Sequence, residues 1–407
     1  MRSRQLAGQV AAITAARFGL NTGFRMIYLF LPALARGLQV DPQAIINAVA
    51  ARSALGLAAP VLGSLGDSRG RKTAMLAGLG VFALGCTVLS VWPGYATFVL
   101  ATLAISLSRI IFDPSGLAYL SDRVAYERRG LVFGLGELAW SGAFLLGVPV
   151  VGWLMERAGW LTPFPWLAVF SLACGLWLWR ALTPDSEDPA IRPSLGPGFR
   201  FVLAQRSALA LLAVGLLLTI ANETVGIVLG LWLETSFGLQ LAALGAASAV
   251  IGLAELAGDG LVFGLVDRVG KRRSAAVGIL GSVLAALALP LLGGSLVGAF
   301  LALFLFYLMF EFTMVARLPL ITEQVPQARA TLLATNLAAS SLGRSLGALA
   351  SGPLFSLGLA ANAGAAAGLN LLALAVLLLL VREHTGPQPV RPALASTAAA
   401  SEPHLQE

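Results

Sequence analysis

The sequence predicts an all-α integral membrane protein with twelve transmembrane helices, arranged as two pseudo-symmetric six-helix halves around a central cavity. Three observations predict this fold class. Of the 407 residues, 57% are hydrophobic and only 12% are charged, whereas a soluble protein averages about 25% charged residues. Apolar runs long enough to cross a bilayer recur along the chain. A polar loop between two such runs returns about 200 residues later.

The apolar runs define the helices in order, because a spanning helix needs about 20 mostly apolar residues. We predict spans at 9–34, 43–65, 73–92, 96–120, 130–154, 161–181, 208–233, 240–263, 274–294, 297–319, 330–354 and 361–381. The one long interior break is rich in proline, and the C-terminal tail is rich in proline, alanine and serine. We therefore assign an N-terminal half, a cytoplasmic linker, a C-terminal half and a disordered cytoplasmic tail to 1–181, 182–206, 207–382 and 383–407.

The repeated loop follows the second and the eighth predicted span. Asp67 aligns with Asp267 and Gly70 with Gly270, and a basic cluster opens the next span in both copies. Two copies in register indicate an internal repeat. The candidate gate residues of the two loops are Gly63, Asp67, Gly70, Arg71, Lys72, Asp267, Arg268, Gly270, Lys271 and Arg272.

The first loop, from Gly63 to Lys72, resembles the Gly-x-Leu-Ala-Asp-Arg-x-Gly-Arg-Arg motif of the major facilitator superfamily. The sequence departs from that motif at Ser68, and in the second copy Phe263 takes the place of the leading glycine. The resemblance covers residues 6–382 and implies the fold of that superfamily. It also implies that Asp67 and Asp267 hold the outward-facing state closed at the cytoplasm by contacting the opposite half. A role in anchoring topology is the alternative.

Two further segments resemble motifs of the same superfamily. The run from Arg109 to Gly116 is similar to its second motif, with Asp113 where the family usually has glycine. The fifth span resembles the antiporter motif Gly-Pro-x-x-Gly-Gly at Pro149 and Gly152, and small residues there permit a bend and close helix approach. The candidate bend residues are Gly147, Pro149 and Gly152. A general small-residue packing seam is an equal alternative.

Basic residues set the expected orientation. With the N-terminus in the cytoplasm, nineteen lysines and arginines lie in cytoplasmic segments, whereas the outer loops contain Arg36 and Arg157. Cytoplasmic loops carry the excess of basic residues, so we expect both termini in the cytoplasm and the protein in the plasma membrane. The same distribution argues against nucleic-acid binding.

Twelve charged residues lie inside predicted spans and must face the bundle interior or a watery cavity, because each would cost about 2.5–3.5 kcal/mol at the bilayer centre. They are Arg17, Arg25, Arg52, Arg109, Arg317, Arg344, Asp113, Glu137, Glu223, Glu255, Asp259 and Glu311. The resemblance implies that spans 1, 4, 7 and 10 line the substrate cavity. The candidates for a substrate and proton cavity are Arg25, Arg109, Asp113, Asn222, Glu223, Glu311 and Arg344.

Glu223 and Glu311 are the proposed proton carriers, since neither has a basic residue within one turn on its own helix. Arg25 and Arg344 then compete with the proton or bind an anionic group of the solute. The alternative is a set of fixed salt bridges. Asp113 is less suitable, because Arg109 lies four residues away and favours its charged form. For Arg52, Arg317, Glu137 and Asp259 we expect gate or packing roles.

These features predict a secondary active transporter that moves a small solute by alternating access, with proton-coupled efflux as the expected direction. Mixed charges and few aromatic residues in spans 1, 7 and 10 argue against a purely cationic drug. The alternatives are a proton-coupled importer of a sugar or metabolite, or a non-transporting membrane sensor or assembly protein on the same scaffold. We expect a monomer with no cofactor besides the coupling proton. A membrane enzyme is not expected, because no nucleophile–base pair or metal cluster occurs in the sequence, and ATP is not the expected energy source, because no Walker loop occurs.

Overall fold

A computed structural model of the protein describes residues 2–59, 70–124, 129–183, 195–325 and 328–382. In these ranges the chain forms helices joined by short turns, and no strand is present. Gly63 and Asp67 of the first gate loop lie outside the described residues, as does the predicted tail.

In the N-terminal half, each predicted span corresponds to one helix or to two joined helices. Within the described residues, α2 continues as a 3-10 turn at Leu55–Ala58, and a π-helical turn at Ala143–Gly147 joins α5 to α6. The helices are α1 (Arg2–Leu38), α2 (Pro42–Ala54), α3 (Arg71–Val91), α4 (Tyr95–Arg123), α5 (Arg129–Gly142), α6 (Val148–Ala158) and α7 (Pro163–Ala181).

The C-terminal half begins with a helix inside the predicted linker, and two of its predicted spans are broken. The breaks fall at Ile227–Val228 and at Arg317, after which a new helix begins at Leu318 with Pro319 in its first turn. The helices are α8 (Leu195–Ala204), α9 (Arg206–Gly226), α10 (Leu229–Phe237), α11 (Leu241–Val269), α12 (Lys271–Leu292), α13 (Leu296–Ala316), α14 (Leu318–Gln324), α15 (Arg329–Phe355) and α16 (Leu359–Leu380).

Nine helical segments in the described ranges are long and apolar enough to cross a membrane. The segments that contain the first, second and eleventh predicted spans are not among them. Large apolar side chains are exposed on the outside of the bundle, with Leu291 and Leu379 each 80% exposed. In water such a surface would be costly, so the bundle exterior suits a lipid environment.

The backbone geometry repeats between the two halves. All described residues with positive φ fall into three pairs about 200 residues apart: Gln39 and Gly238, Gly70 and Gly270, Gly159 and Gly358. Position by position, residues 71–89 and 271–289 also share the same pattern of buried, half-buried and exposed side chains. The turn that glycine allows after each gate loop therefore directs α3 and α12 into equivalent environments.

The two halves pack on each other at one end of the bundle, which we call the far face because it lies opposite residues 2 and 382, the described ends of the chain. There α2 packs on α15, α6 on α11 and α1 on α10. Ser345 donates a hydrogen bond to the Ala50 carbonyl at 3.0 Å, and Glu156 accepts one from the Ala242 amide at 2.6 Å.

The opposite end, the terminal face, carries the described ends of the chain at residues 2 and 382 and the starts of α3 and α12. Lys72 donates there to the Trp179 and Leu182 carbonyls, and Lys271 pairs with Glu323, each within its own half. Arg272 donates to the Leu378 carbonyl and Gln324 to the Arg382 carbonyl, both within the C-terminal half. The packing of helices from both halves closes the bundle at the far face.

Candidate functional site

A cavity of about 280 Å³ lies between the two halves. Its walls come from both halves, and it contains charged side chains of both signs. Six of the seven predicted cavity residues line it: Arg25, Arg109, Asn222, Glu223, Glu311 and Arg344. Three charged residues that were not among the predicted cavity residues line it as well: Arg17, Glu137 and Glu255.

The seventh predicted residue, Asp113, bridges two arginines of the cavity wall. Its carboxylate accepts from Arg17 at 3.2 Å and from Arg109 at 3.5 Å. The predicted same-helix partnership with Arg109 is therefore present, and Arg17 of α1 adds a second cation. With two positive neighbours, Asp113 is held in a local network on the N-terminal half.

Arg25 forms a buried ion pair with Glu255 that joins the two halves. Its guanidinium donates to both carboxylate oxygens, one of them at 2.8 Å, and to the Trp140 carbonyl at 2.9 Å. The two side chains are 4% and 3% exposed. The guanidinium also lies over the Phe144 ring, 3.6 Å from its centroid. Arg25 therefore pairs with Glu255 in this structure. The expected pairing of Arg25 with Glu223 or Glu311 is not observed.

Glu223 lies on α9 one turn before the helix breaks, and it is 2% exposed. Its Oε1 atom has no hydrogen-bond partner among the described residues, and neither does the amide nitrogen of the adjacent Asn222. The groups that act on Glu223 are the guanidinium groups of Arg344 and Arg52 and the hydroxyl of Tyr28. A buried carboxylate with an unused oxygen is costly unless a ligand, a water molecule or a proton meets it.

Glu311 and Arg344 line the cavity without a hydrogen bond or ion pair to any described residue. The charges that act most on Glu311 are those of Glu255, Asp259 and Arg25. The cavity therefore contains an acidic region around Glu311 and a separate cation at Arg344.

Aromatic side chains cover much of the remaining wall, which corrects the expectation of few aromatic residues on the cavity-lining spans. Two come from α1 and two from α13, and the others lie at the bend between α5 and α6. They are Phe24, Tyr28, Trp140, Phe144, Tyr307 and Phe310. Helical spacing alone does not show which face of each helix points into the cavity, so these aromatic residues were not predicted to line it.

The predicted bend residues of the fifth span lie at and after the π-helical turn. Gly147 ends that turn, and Pro149 sits in the first turn of α6. Gly152 packs against α11, where an added Cβ would lie 2.6 Å from the Leu241 carbonyl oxygen and 3.1 Å from the Gly245 Cα. Ser248 of α11 donates to the Phe144 carbonyl at 2.6 Å, so a side chain of the other half satisfies a carbonyl of the π turn.

The described gate residues lie at the terminal face, remote from the cavity lining. Gly70 and Gly270 precede α3 and α12 with φ of 85° and 93°. Arg71 donates to the Ala118 carbonyl at 2.9 Å, and Arg268 is exposed. The side chain of Asp267 is not described, so the predicted contacts of the gate acids stay a prediction.

Arg52 and Arg317 are packing residues in this structure. Arg52 is fully buried, donates to the Phe24 carbonyl at 2.9 Å and stacks on that ring. Arg317 is 1% exposed and donates to Asn336 at 3.1 Å. In the described residues, no group of histidine, cysteine and carboxylate side chains is placed to hold a metal ion.

A model of the Major Facilitator Superfamily matches residues 13–348 and 211–403. The chain belongs to this superfamily. A solved structure of the human organic anion transporter MFSD10 superposes with a TM-score of 0.70 at 20% identity, over 91% of this chain and 99% of that one. A bacterial homologue of human Spinster, described as inward-facing and unoccupied, gives 0.65 at 15% identity over 93% and 95%. At these identities the two structures support the shared fold, and the predicted fold class is confirmed.

Sequence relatives of the same superfamily match over different lengths. The uncharacterized MFS-type transporter YceJ of Bacillus subtilis is 27% identical over 312 residues, which is 74% of this chain and 78% of that protein. YwfA of the same organism is 31% identical over 140 residues, or 34% of each chain. The mouse vesicular acetylcholine transporter is 31% identical over 140 residues, 34% of this chain and 26% of that protein.

Proposed function

We propose that this protein is a secondary transporter that carries a small organic solute across the membrane by alternating access. The solute would bind in the cavity between the halves, and rocking of one half against the other would expose it to each side in turn. The superfamily membership and the match to MFS-type transporters support transport as the activity. Proton-coupled efflux from the cytoplasm is the direction that we propose.

The observation that carries this proposal is a charged cavity between the two halves, lined by residues of both. At the far face the helices of the two halves pack on each other. We propose that the solute enters from the opposite side, the terminal face. We assign that side to the cytoplasm because the basic residues are concentrated there.

Proton coupling is proposed for Glu223 and Glu311. A carboxylate withdrawn from water favours its neutral form, and a nearby cation favours its charged form. Rocking of the halves changes both the hydration of the cavity and the distances to Arg344 and Arg25, so the same group would take up a proton in one state and release it in the other. One proton crossing a potential of ~150 mV supplies about 3.5 kcal/mol, which sustains a gradient of a few hundredfold.

The test is solute flux in proteoliposomes with and without a pH gradient, after a ligand-stabilisation screen across drugs, sugars and amino acids has identified a solute. We expect Glu223→Gln or Glu311→Gln to abolish accumulation driven by the pH gradient and to leave solute exchange intact at equal, saturating concentrations on both sides. Glu234→Gln is the matched control, because Glu234 pairs with Arg36 at the far face, outside the cavity lining.

The outcomes separate the parts of the proposal. A full response of both cavity variants to the pH gradient would place the coupling group elsewhere or exclude the proton as coupling ion. Absence of any solute flux from the wild-type protein would favour a sensor or assembly role. The sign of the gradient that drives accumulation distinguishes efflux from import.

A further inference from the structure

The charges in the cavity are segregated. Arg344 lies on α15 one turn before Gly347, where an added Cβ would lie 2.8 Å from the Glu223 Cβ of α9. Glu311 lies on α13 against Gly258 of α11, where an added Cβ would lie 3.0 Å from the Glu311 Cβ. Glu311 of α13 belongs instead to an acidic region with neighbours on α5 and α11. We call the two regions the Arg344 pole and the Glu311 pole.

Both poles are unpaired in the described part of the chain. Arg344 forms no described ion pair: Glu223 is the carboxylate that it acts on, without a hydrogen bond between the two, and Asp113 binds Arg17 and Arg109. Arg25, the cation that acts most on Glu311, is paired with Glu255. Glu311 therefore faces the cavity without a described counter-ion of its own.

Unpaired charges inside a membrane bundle are costly unless water or a ligand meets them. At the Arg344 pole, Asn222 and Glu223 add two buried polar atoms without a described partner, both on residues that line the cavity. A solute with a single positive group would leave Arg344 unpaired, and one with a single negative group would leave Glu311 unpaired. A solute that carries both charges satisfies the two poles together.

We propose that the cavity takes a zwitterionic organic solute, with its anionic group at Arg344, its protonated amine at Glu311 and an apolar body between them. This inference rests on the proposed transport function and names the substrate class for the same cavity. The body would lie against Tyr307 and Phe310 of α13, because the rings of Phe24 and Trp140 are already covered by guanidinium groups. A carboxylate is the best match for Arg344, since a guanidinium binds it with two parallel hydrogen bonds.

The amine site and the proposed proton site share one residue. A protonated Glu311 has no charge to offer the amine, so amine binding and protonation at this carboxylate exclude each other. Exchange of one for the other at Glu311 would couple the solute to the proton, alongside the proton site proposed at Glu223.

Four compounds with one body and different charges test the class. Phenylalanine is zwitterionic, phenylalaninamide carries only the positive charge, N-acetylphenylalanine only the negative charge, and N-acetylphenylalaninamide neither. Binding is measured as the ligand-dependent shift in melting temperature of the purified full chain in detergent. We expect phenylalanine to bind most tightly and each singly charged compound about tenfold more weakly, because a hydrogen bond to a charged group contributes about 1.5–3 kcal/mol.

Variants assign each pole to one group of the ligand. Arg344→Gln should remove the preference for phenylalanine over phenylalaninamide and keep the preference over N-acetylphenylalanine. Glu311→Gln should do the reverse. Arg344→Lys retains the charge and should retain most of the preference, which separates loss of charge from loss of folding. Arg36→Gln, at the far face, is the matched control with no expected change.

Equal stabilisation by all four compounds, tighter binding of a singly charged one, or no stabilisation by any of them would overturn the zwitterion class. Failure of this proposal is distinguishable from failure of the proposed function. Flux of a neutral or singly charged solute, still coupled to the pH gradient through Glu223 or Glu311, would retain the transporter and discard only the substrate class.

Discussion

At the scale of single residues, the pair of Arg25 and Glu255 ties the two halves together beside the cavity. Neither side chain is exposed to water, and the guanidinium rests on the rings of Trp140 and Phe144. Removing one partner of a buried pair leaves the other charge without compensation, which costs about 3–5 kcal/mol. Removing both leaves no unpaired charge.

We therefore expect Arg25→Gln and Glu255→Gln each to lower the melting temperature of the detergent-purified protein substantially. The double variant should recover part of that loss. Arg36→Gln tests a second inter-half pair whose arginine is 60% exposed, and it should change stability by less than about 1 kcal/mol. Strictly additive losses in the double variant would show that the two residues act independently.

The cavity shows which of its residues can be predicted from the sequence and which pairings cannot. Because membrane-embedded charges must face inward, it identified Arg109, Glu223 and Glu311 as cavity residues. It did not identify Glu255 as the partner of Arg25, since the two lie 230 positions apart in different halves. The repeat offset relates equivalent positions, and partners across the interface are not equivalent positions. That pairing depends on how the halves dock, which no local pattern encodes.

At the scale of secondary-structure elements, the bend between α5 and α6 leads into a close contact between the two halves. The π-helical turn at Ala143–Gly147 precedes α6. Further along α6, the backbone of Gly152 packs directly against the backbone of Gly245 in α11. Small residues allow this approach because dispersion and close packing, rather than the hydrophobic effect, hold helices together in a bilayer. Any side chain at Gly152 would separate α6 from α11.

We expect Gly152→Ala to destabilise this conformation by about 1–3 kcal/mol through overpacking, seen as a lower melting temperature and reduced solute flux. Gly368→Ala is the matched control, because an added Cβ there meets nothing within 4 Å and alanine improves helix propensity by about 1 kcal/mol. An unchanged melting temperature for Gly152→Ala would mean that the contact between α6 and α11 is looser than the structure indicates.

Element boundaries were only partly predictable. The twelve apolar runs located the helices, but the interruption of the seventh at Ile227–Val228 had only Gly226 as a local signal. Its cause is tertiary, since Gly230 lies against the Tyr28 and Leu29 carbonyls of α1. Glu223 is thereby placed one turn before a helix break, next to the cavity.

At the scale of the whole molecule, the two halves repeat their backbone while their charges differ. The paired turns at Gly70 and Gly270 were predictable, because the loop sequence itself repeats. The cavity charges do not repeat, so its substrate cannot be inferred from the symmetry. In the present conformation the halves pack on each other at the far face, and Lys72 and Lys271 bind within their own halves. We expect the opposite conformation to form new contacts across the terminal face.

Asp67 is predicted to make such contacts, and its neutralisation should favour the conformation described here. A charge-assisted hydrogen bond contributes about 1.5–3 kcal/mol, so Asp67→Asn should raise the population of this conformation relative to the closed one by about tenfold or more. Membrane insertion should be unaffected, and solute flux should fall because one state of the cycle is lost.

The measurement is the distance distribution between spin labels at Arg180 and Arg329, which are exposed on the terminal face in different halves. Asp122→Asn is the matched control, since Asp122 pairs with Arg71 inside the N-terminal half and its loss should leave the balance between the two states unchanged. An Asp67→Asn variant whose distances match those of the wild type would assign the loop to topology alone.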